Sequence, residues 1–283
     1  MKKVLVLFMM CITVSFVNAQ ITTPQPSPLA KLEQKVGLTN VTVEYSRPGV
    51  KGRTIFGDLE PFGGVWRTGA NKNTVITFSD DVKIAGQDVK AGAYAIFTRL
   101  NSAESWDVMF YNDINNWGVP KKWDESKVVA TVKVKVEKVP FLVETLAIDF
   151  NKITNNGATL EIIWEKSYIG IPFTVPTDAT VSKSIKSVMN GPSGNDYYAA
   201  AAYYLEADKD INKAVKWIDK AVEMTKDEPR FWILRRQALI HAKAGNKKNA
   251  IAAAKASLKY AEKAGNAGYV KMNKASLKEW GAM

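Results

Sequence analysis

Apolar and polar side chains alternate along most of the chain from Val41 to Val175. The clearest stretch is Val128–Val136, where Val132, Val134 and Val136 share one parity and Lys133 and Lys135 the other. A period of two puts successive side chains on opposite faces of a pleated strand, so this stretch predicts a strand with one buried and one wet face. Leu146, Ile148 and Phe150 repeat the pattern, as do Leu160, Ile162 and Trp164. Shorter runs occupy Val41–Tyr45, Thr74–Phe78, Tyr94–Thr98 and Trp106–Phe110. Turn residues separate them at Ala85-Gly86-Gln87, Ala91-Gly92 and Asn155-Asn156-Gly157. Roughly nine or ten short strands, with no helical period between them, predict an all-β antiparallel sandwich or barrel.

After Pro176 the period changes. Thr177–Met189 predicts a short helix stopped by Asn190-Gly191-Pro192, with Ser193-Gly194 as a hinge. From Asp196 an alanine-rich helical pattern runs to the end, and two units overlay when offset: Ala202, Ala214 and Ala221 fall on Ala238, Ala250 and Ser257. Small residues at fixed helical spacing let paired helices cross closely, and in this the segment resembles the tetratricopeptide repeat. It departs from that repeat in Lys209, which stands where glycine is usual, in a longer spacing and in the position of Trp232. Asn266–Trp280 reads as a capping helix with Tyr269, Met272 and Leu277 inward. The competing reading is an unrelated helical bundle.

The start of the chain has the three parts of a secretory signal: Lys2 and Lys3, the apolar run Val4–Val17, and small residues ending at Ala19. The expected organisation is therefore a signal over 1–19 and an extended leader over 20–28. A β domain over 29–176, a linker helix and hinge over 177–194, and an all-α helical-hairpin domain over 195–283 follow. The single cysteine, Cys11, lies inside the signal, so the mature chain is expected to carry no disulfide and no thiolate chemistry. No transmembrane segment is expected after the signal is removed, and the expected compartment is the periplasm or outer envelope of a bacterium.

Charge is concentrated at one end. From Arg230 to Met283 the only acidic residues are Glu262 and Glu279, against twelve lysines and arginines. That asymmetry points to an acidic protein segment or an anionic envelope component as partner; nucleic acid fits the charge but not the export signal. The candidate face comprises Arg235, Arg236, Lys243, Lys247, Lys248, Lys255 and Lys259. The plainer account is a lysine-studded solvated surface.

One segment breaks the strand alternation. Tyr45–Asn71 is dense in Gly, Pro, arginine and aromatic residues, and an ordered loop of this length is more often functional than idle. Arg47, Arg53 and Arg67 offer planar forks of donors, Asn71 adds an amide, and Trp66 offers a ring for stacking. These five residues are candidates for binding a carboxylate- or phosphate-bearing ligand such as an acidic glycan. In the alternative, the arginines pair with Asp58, Glu60, Asp80 and Asp81 while Trp66 plugs the end of the sandwich.

Tyr45-Ser46-Arg47-Pro48, Lys51-Gly52-Arg53, Ile55-Phe56-Gly57 and Val65-Trp66-Arg67-Thr68-Gly69-Ala70-Asn71 stand in this segment, with Ser27-Pro28-Leu29 before it and Ala91-Gly92-Ala93-Tyr94 and Phe97 after it. In these residues the chain resembles the domain of unknown function 2911 family of exported bacterial proteins, over about 27–175. The resemblance implies a β fold and supplies no activity.

Little points to catalysis. The one histidine, His241, falls within a helix between Ile240 and Ala242, a place for packing. Without a mature cysteine or a second histidine, zinc sites lack ligands, and no Gly-rich phosphate loop precedes a helix. Asp113, Asn115, Gly118 and Asp124 have part of a calcium-loop spacing, but Trp117 occupies a position that needs an oxygen ligand. Carboxylate-only chemistry, as in glycoside hydrolysis, stays open, with Asp107, Asp113 and Glu144 carrying no supporting spacing. The sequence thus favours an exported binding or scaffolding protein without catalytic residue, metal or cofactor, over a ligand binder at the arginine loop and a carboxylate hydrolase.

Overall fold

The computed structural model describes residues 23–189 and 191–283. The signal expected over 1–19 lies outside them, as does the start of the leader. Strands come first: β1 (Leu29–Val36), β2 (Thr39–Ser46), β3 (Val65–Trp66), β4 (Ala70–Phe78), β5 (Val82–Ile84), β6 (Gln87–Val89), β7 (Gly92–Arg99), β8 (Ser105–Tyr111), β9 (Val128–Lys135), β10 (Glu137–Thr154) and β11 (Gly157–Thr174). One sheet runs β1-β2-β4-β7-β8-β9, with β3 added along β7; the other runs β10-β11-β5-β6. The β part is therefore an antiparallel sandwich. Val43, Ile76, Ile96, Val108 and Val132 meet Ile148, Leu160, Ile162 and Ile171 in one buried core.

The strands differ from expectation in two ways: β1, β3, β5 and β6 fall where no run was read, and the last two are longer. β10 and β11 span 18 residues each, joined at Asn155-Asn156. Register shifts along β10 let one strand bend where a short-strand reading would break it. The turn is tucked in: a Cβ on Gly157 would lie 2.4 Å from the Phe173 carbonyl oxygen. At the edge of the first sheet, the Gln87 amide donates to the Thr131 carbonyl (2.7 Å) and accepts from its N–H (3.3 Å), tying β6 to β9.

Six helices follow: α1 (Thr177–Val188), α2 (Gly194–Glu206), α3 (Ile211–Met224), α4 (Phe231–Lys243), α5 (Lys247–Lys263) and α6 (Ala267–Glu279). Ser193 and Asp196 form a capping box on α2, Asp210 caps α3 through the N–H groups of Asn212 and Lys213, and Asn266 caps α6. Gly245 and Gly265 end α4 and α5 in left-handed conformation, with φ of 77° and 67°. Ala214, Ala221, Ala238, Ala250 and Ser257 are all fully buried where helices cross. In α2 the buried small residue is Ala201, whereas Ala202 is half-buried, so the overlay slips by one there. In α6, Leu277 is buried and Tyr269 packs on Phe231, but Met272 points outward at 43% exposure. Asn273, Ser276 and Leu277 define the inward face, and Met272 lies beyond its edge.

The sandwich and α1 meet at a tight corner. Gly37, at φ 56°, would place a Cβ 2.0 Å from Thr177 Oγ1 and 2.2 Å from the Asn155 carbonyl oxygen. Asp178, in the first turn of α1, accepts from the Tyr203 hydroxyl at 2.8 Å and pairs with Lys209.

Candidate functional site

The arginines of the Tyr45–Asn71 segment turn to backbone carbonyls. Arg47 Nε donates to the Leu146 oxygen at 2.8 Å, joining the end of β2 to β10. Arg53 folds back on its own loop, through Nε to Val50 (3.0 Å) and Nη2 to Gly49 (2.7 Å). Arg67 Nη1 donates to the Asn71 oxygen at 3.0 Å, and its guanidinium sits so close to Gly118 that a Cβ there would lie 2.9 Å from Nη1. None of the described ion pairs joins these arginines to Asp58, Glu60, Asp80 or Asp81; Asp81 pairs with Lys90 instead. Glu60 is near enough to feel the charge of Arg67, yet burial pushes its carboxyl up to about 7.

Trp66 is a core residue at 1% exposure, its Nε1 donating to the Gly69 oxygen at 3.2 Å. It lies 5.8 Å from Trp164 in a stacked pair and 5.6 Å from Phe56, edge-on; Phe56 in turn packs on Trp106. Ile55-Phe56 and Val65-Trp66 thus drive inward and close one end of the sandwich. Thr68 follows in left-handed conformation and is buried, its hydroxyl 2.8 Å from that of Thr98. Asn71 is also left-handed, at φ 60°, a conformation asparagine tolerates. Its Nδ2 reaches the Ser27 oxygen and Ser46 Oγ, both at 3.3 Å. Of the five candidates in this loop, only Asn71 lines an open cleft.

That cleft, about 760 Å³, lies on the outer face of the first sheet. The face is roofed over one half. Ala95 and Phe97 of β7 and Met109 and Tyr111 of β8 point outward and are buried beneath Ile114 and Trp123 of the 112–127 segment. Over β1, β2 and β4 the roof stops, leaving Thr42, Ser46, Asn71, Val75 and Thr77 as floor, with Ile114, Asn115 and Trp117 along the wall. Asn73, 5% exposed, fastens the wall: its side chain accepts from the Asn116 N–H (3.1 Å) and donates to the Gly118 oxygen (3.0 Å). Arg67 braces the same corner from behind, through Asn71 and Gly118.

The residues with calcium-like spacing are engaged elsewhere. Asp113 pairs with Lys127 at 2.8 Å, which holds its carboxyl below the usual range, and Asp124 caps a short 3-10 turn through Ser126. Among the described residues no group of three or more His, Cys, Asp or Glu converges. His241 is 3% exposed, with Nε2 2.9 Å from Asp219 Oδ1, so it joins α4 to α3.

The basic face divides in two. Arg235 donates to Asn273 and Ser276, Arg236 pairs with Glu206 at 2.9 Å, and Lys243 pairs with Asp208. Arg235 and Arg236 join α4 to α6 and α2, and Lys243 joins it to the turn between α2 and α3. Lys247, Lys248, Lys255 and Lys259 are exposed on α5, and none takes part in an ion pair among the described residues.

The family described as protein of unknown function (DUF2911) matches residues 27–173, more than half of the chain. The chain belongs to that family. No curated protein and no solved structure matches it. The DUF2911 span takes in the sandwich up to Phe173, the arginine loop and nearly all of the cleft lining, and the motifs from Ser27 to Phe97 lie inside it. The six helices fall after it. No helix among the described residues is long and apolar enough to cross a membrane.

Proposed function

We propose that this DUF2911 protein is an exported binding or scaffolding protein of the bacterial cell envelope, whose helical half engages a protein or other anionic partner. The observation that carries this reading is the row of exposed lysines on α5. Lys248, Lys255 and Lys259 stand seven and four residues apart, a spacing that returns to one side of a helix. Lys247 and Lys248 sit in the first turn, with no acidic residue there, where the positive end of the helix dipole disfavours cations. A purely solubilising surface has no need to accept that cost. The paired helices with small residues at their crossings resemble tetratricopeptide repeats, and repeats of that kind leave surface free for a partner.

The test is retention of envelope-extract components on the immobilised full chain and on a K248E/K255E/K259E variant. Between about 0.01 M and 0.15 M salt the screening length falls from roughly 30 Å to 8 Å, so retained material should drop at least about tenfold over that range. The triple variant should fail to retain it even at low salt. The same components on both proteins would refute the reading.

A further inference from the structure

We infer that the outer cleft of the sandwich is a binding site for a neutral oligosaccharide. The site is in the other half of the molecule from the lysine row, so it stands or falls apart from that reading. Its shape is built in. The roof over β7 and β8 ends in a wall pinned by Asn73 and braced by Arg67, leaving a preformed trough beside it. At about 760 Å³ it falls within the usual range of ligand sites, about 300–1,000 Å³.

The lining selects the ligand. The floor is a sheet face, whose backbone groups are already spent in the ladders on both sides of β2 and β4. A peptide cannot add there as a strand, and recognition falls to side chains. Those side chains are hydroxyls and amides: Thr42, Ser46, Asn71, Thr77 and Asn115. Thr42, Thr77 and Asn115 can both donate and accept, Ser46 can still donate and Asn71 Oδ1 can accept, which matches the hydroxyl groups of a sugar. The lining carries Lys31 and Lys72 against Glu44, and Lys31 is paired with Glu33 beside it. The nearby arginine, Arg67, is not part of the lining: it lies behind the wall with Nη1 on the Asn71 carbonyl. Val75 and Ile114 put apolar patches between the polar groups, and Trp117 stands at the wall with 70% of its surface exposed. An exposed indole beside hydroxyl and amide groups suits a pyranose ring, which has an apolar C–H face and a polar rim.

Isothermal titration of the full chain with maltohexaose, cellohexaose, xylohexaose, mannohexaose and chitohexaose tests the inference, with an oligogalacturonide as acidic control. At least one neutral hexasaccharide should bind more tightly than the acidic one. Trp117→Ala should weaken that binding about tenfold, and Thr77→Arg, which fills the trough from an exposed position, should abolish it. Both variants should keep the thermal midpoint of the parent. Binding of the acidic probe alone, binding unchanged in both variants, or no binding of any neutral hexasaccharide would each overturn the assignment.

Discussion

Replacing Glu60 with glutamine should stabilise the β domain at pH 8 and change it little at pH 5. Glu60 lies in the inward-turning segment between Ile55 and Trp66, its N–H bonded to the Ile55 oxygen and its carbonyl to the Gly57 N–H, both at 2.9 Å. Among the described residues nothing hydrogen-bonds its carboxyl. Burial raises it from 4.5 to about 7, with Arg67 pulling the other way. The folded chain therefore holds a proton that the unfolded chain has released between about pH 4.5 and 7, so stability from this group is complete below the lower value and is lost as pH rises through the upper one. At about 1.4 kcal/mol per pH unit the upper bound is about 3.4 kcal/mol. The side chain is only partly buried, and solvent screening brings the expected gain for Glu60→Gln at pH 8 to about 1–2 kcal/mol. At pH 5 the folded parent carries a neutral carboxyl while the unfolded chain is already largely ionised, so after the same discount a residual difference below about 0.5 kcal/mol should remain. Urea unfolding followed by near-ultraviolet circular dichroism, to which the packed Trp66, Trp106 and Trp164 cluster contributes, measures the difference. An equal difference at the two pH values, or a loss at pH 8, would show that the carboxyl is not held out of water as described.

Arg47→Ala removes the side-chain bond from the end of β2 to the Leu146 carbonyl and should cost about 1–3 kcal/mol in urea unfolding, because that carbonyl sits in a buried stretch. A loss no larger than that of an exposed control such as Lys121→Ala would show the bond to be idle. Asn73→Ala should speed amide exchange within 112–123 and lower stability by about 1–2 kcal/mol, since the Asn116 N–H and Gly118 oxygen both lose their partner. Exchange that quickens equally across the sheet would count against a local clamp.

The alternation of side chains located the long central strands because half-buried faces leave a period-two trace, as at Val132, Val134 and Val136, but it missed β1 and the short β3, β5 and β6. The helices were legible for the same reason at their own period, with Ala214, Ala221, Ala238 and Ala250 where close crossing demands a small side chain. What a local pattern does not record is how far one strand continues through a bend. β10 bends through register shifts on either side of Val143 and keeps pairing with β11, so a segment that looks interrupted at Pro140 is continuous. The slip at Ala201 and the outward Met272 have a similar cause, because small errors in helix phase move a residue off the buried arc.

The site was half legible. Composition picked out the Tyr45–Asn71 segment correctly as unusual, but its arginines face carbonyl oxygens presented by distant or irregular backbone. Leu146 lies 99 residues from Arg47, and no acidic residue marks the place where that guanidinium goes. The cleft did leave a trace, in a comparison between strands. Gly92–Arg99 and Ser105–Tyr111 are apolar at both parities, so both faces of β7 and β8 must be covered, while β2 keeps polar residues at every second position. A sheet covered on both faces over one half and on one face over the other must contain a step, and a step against a flat floor is a cleft. Whatever fills it meets Trp117 at the wall and hydroxyls on the floor, and Arg67 behind acts by keeping that wall in place.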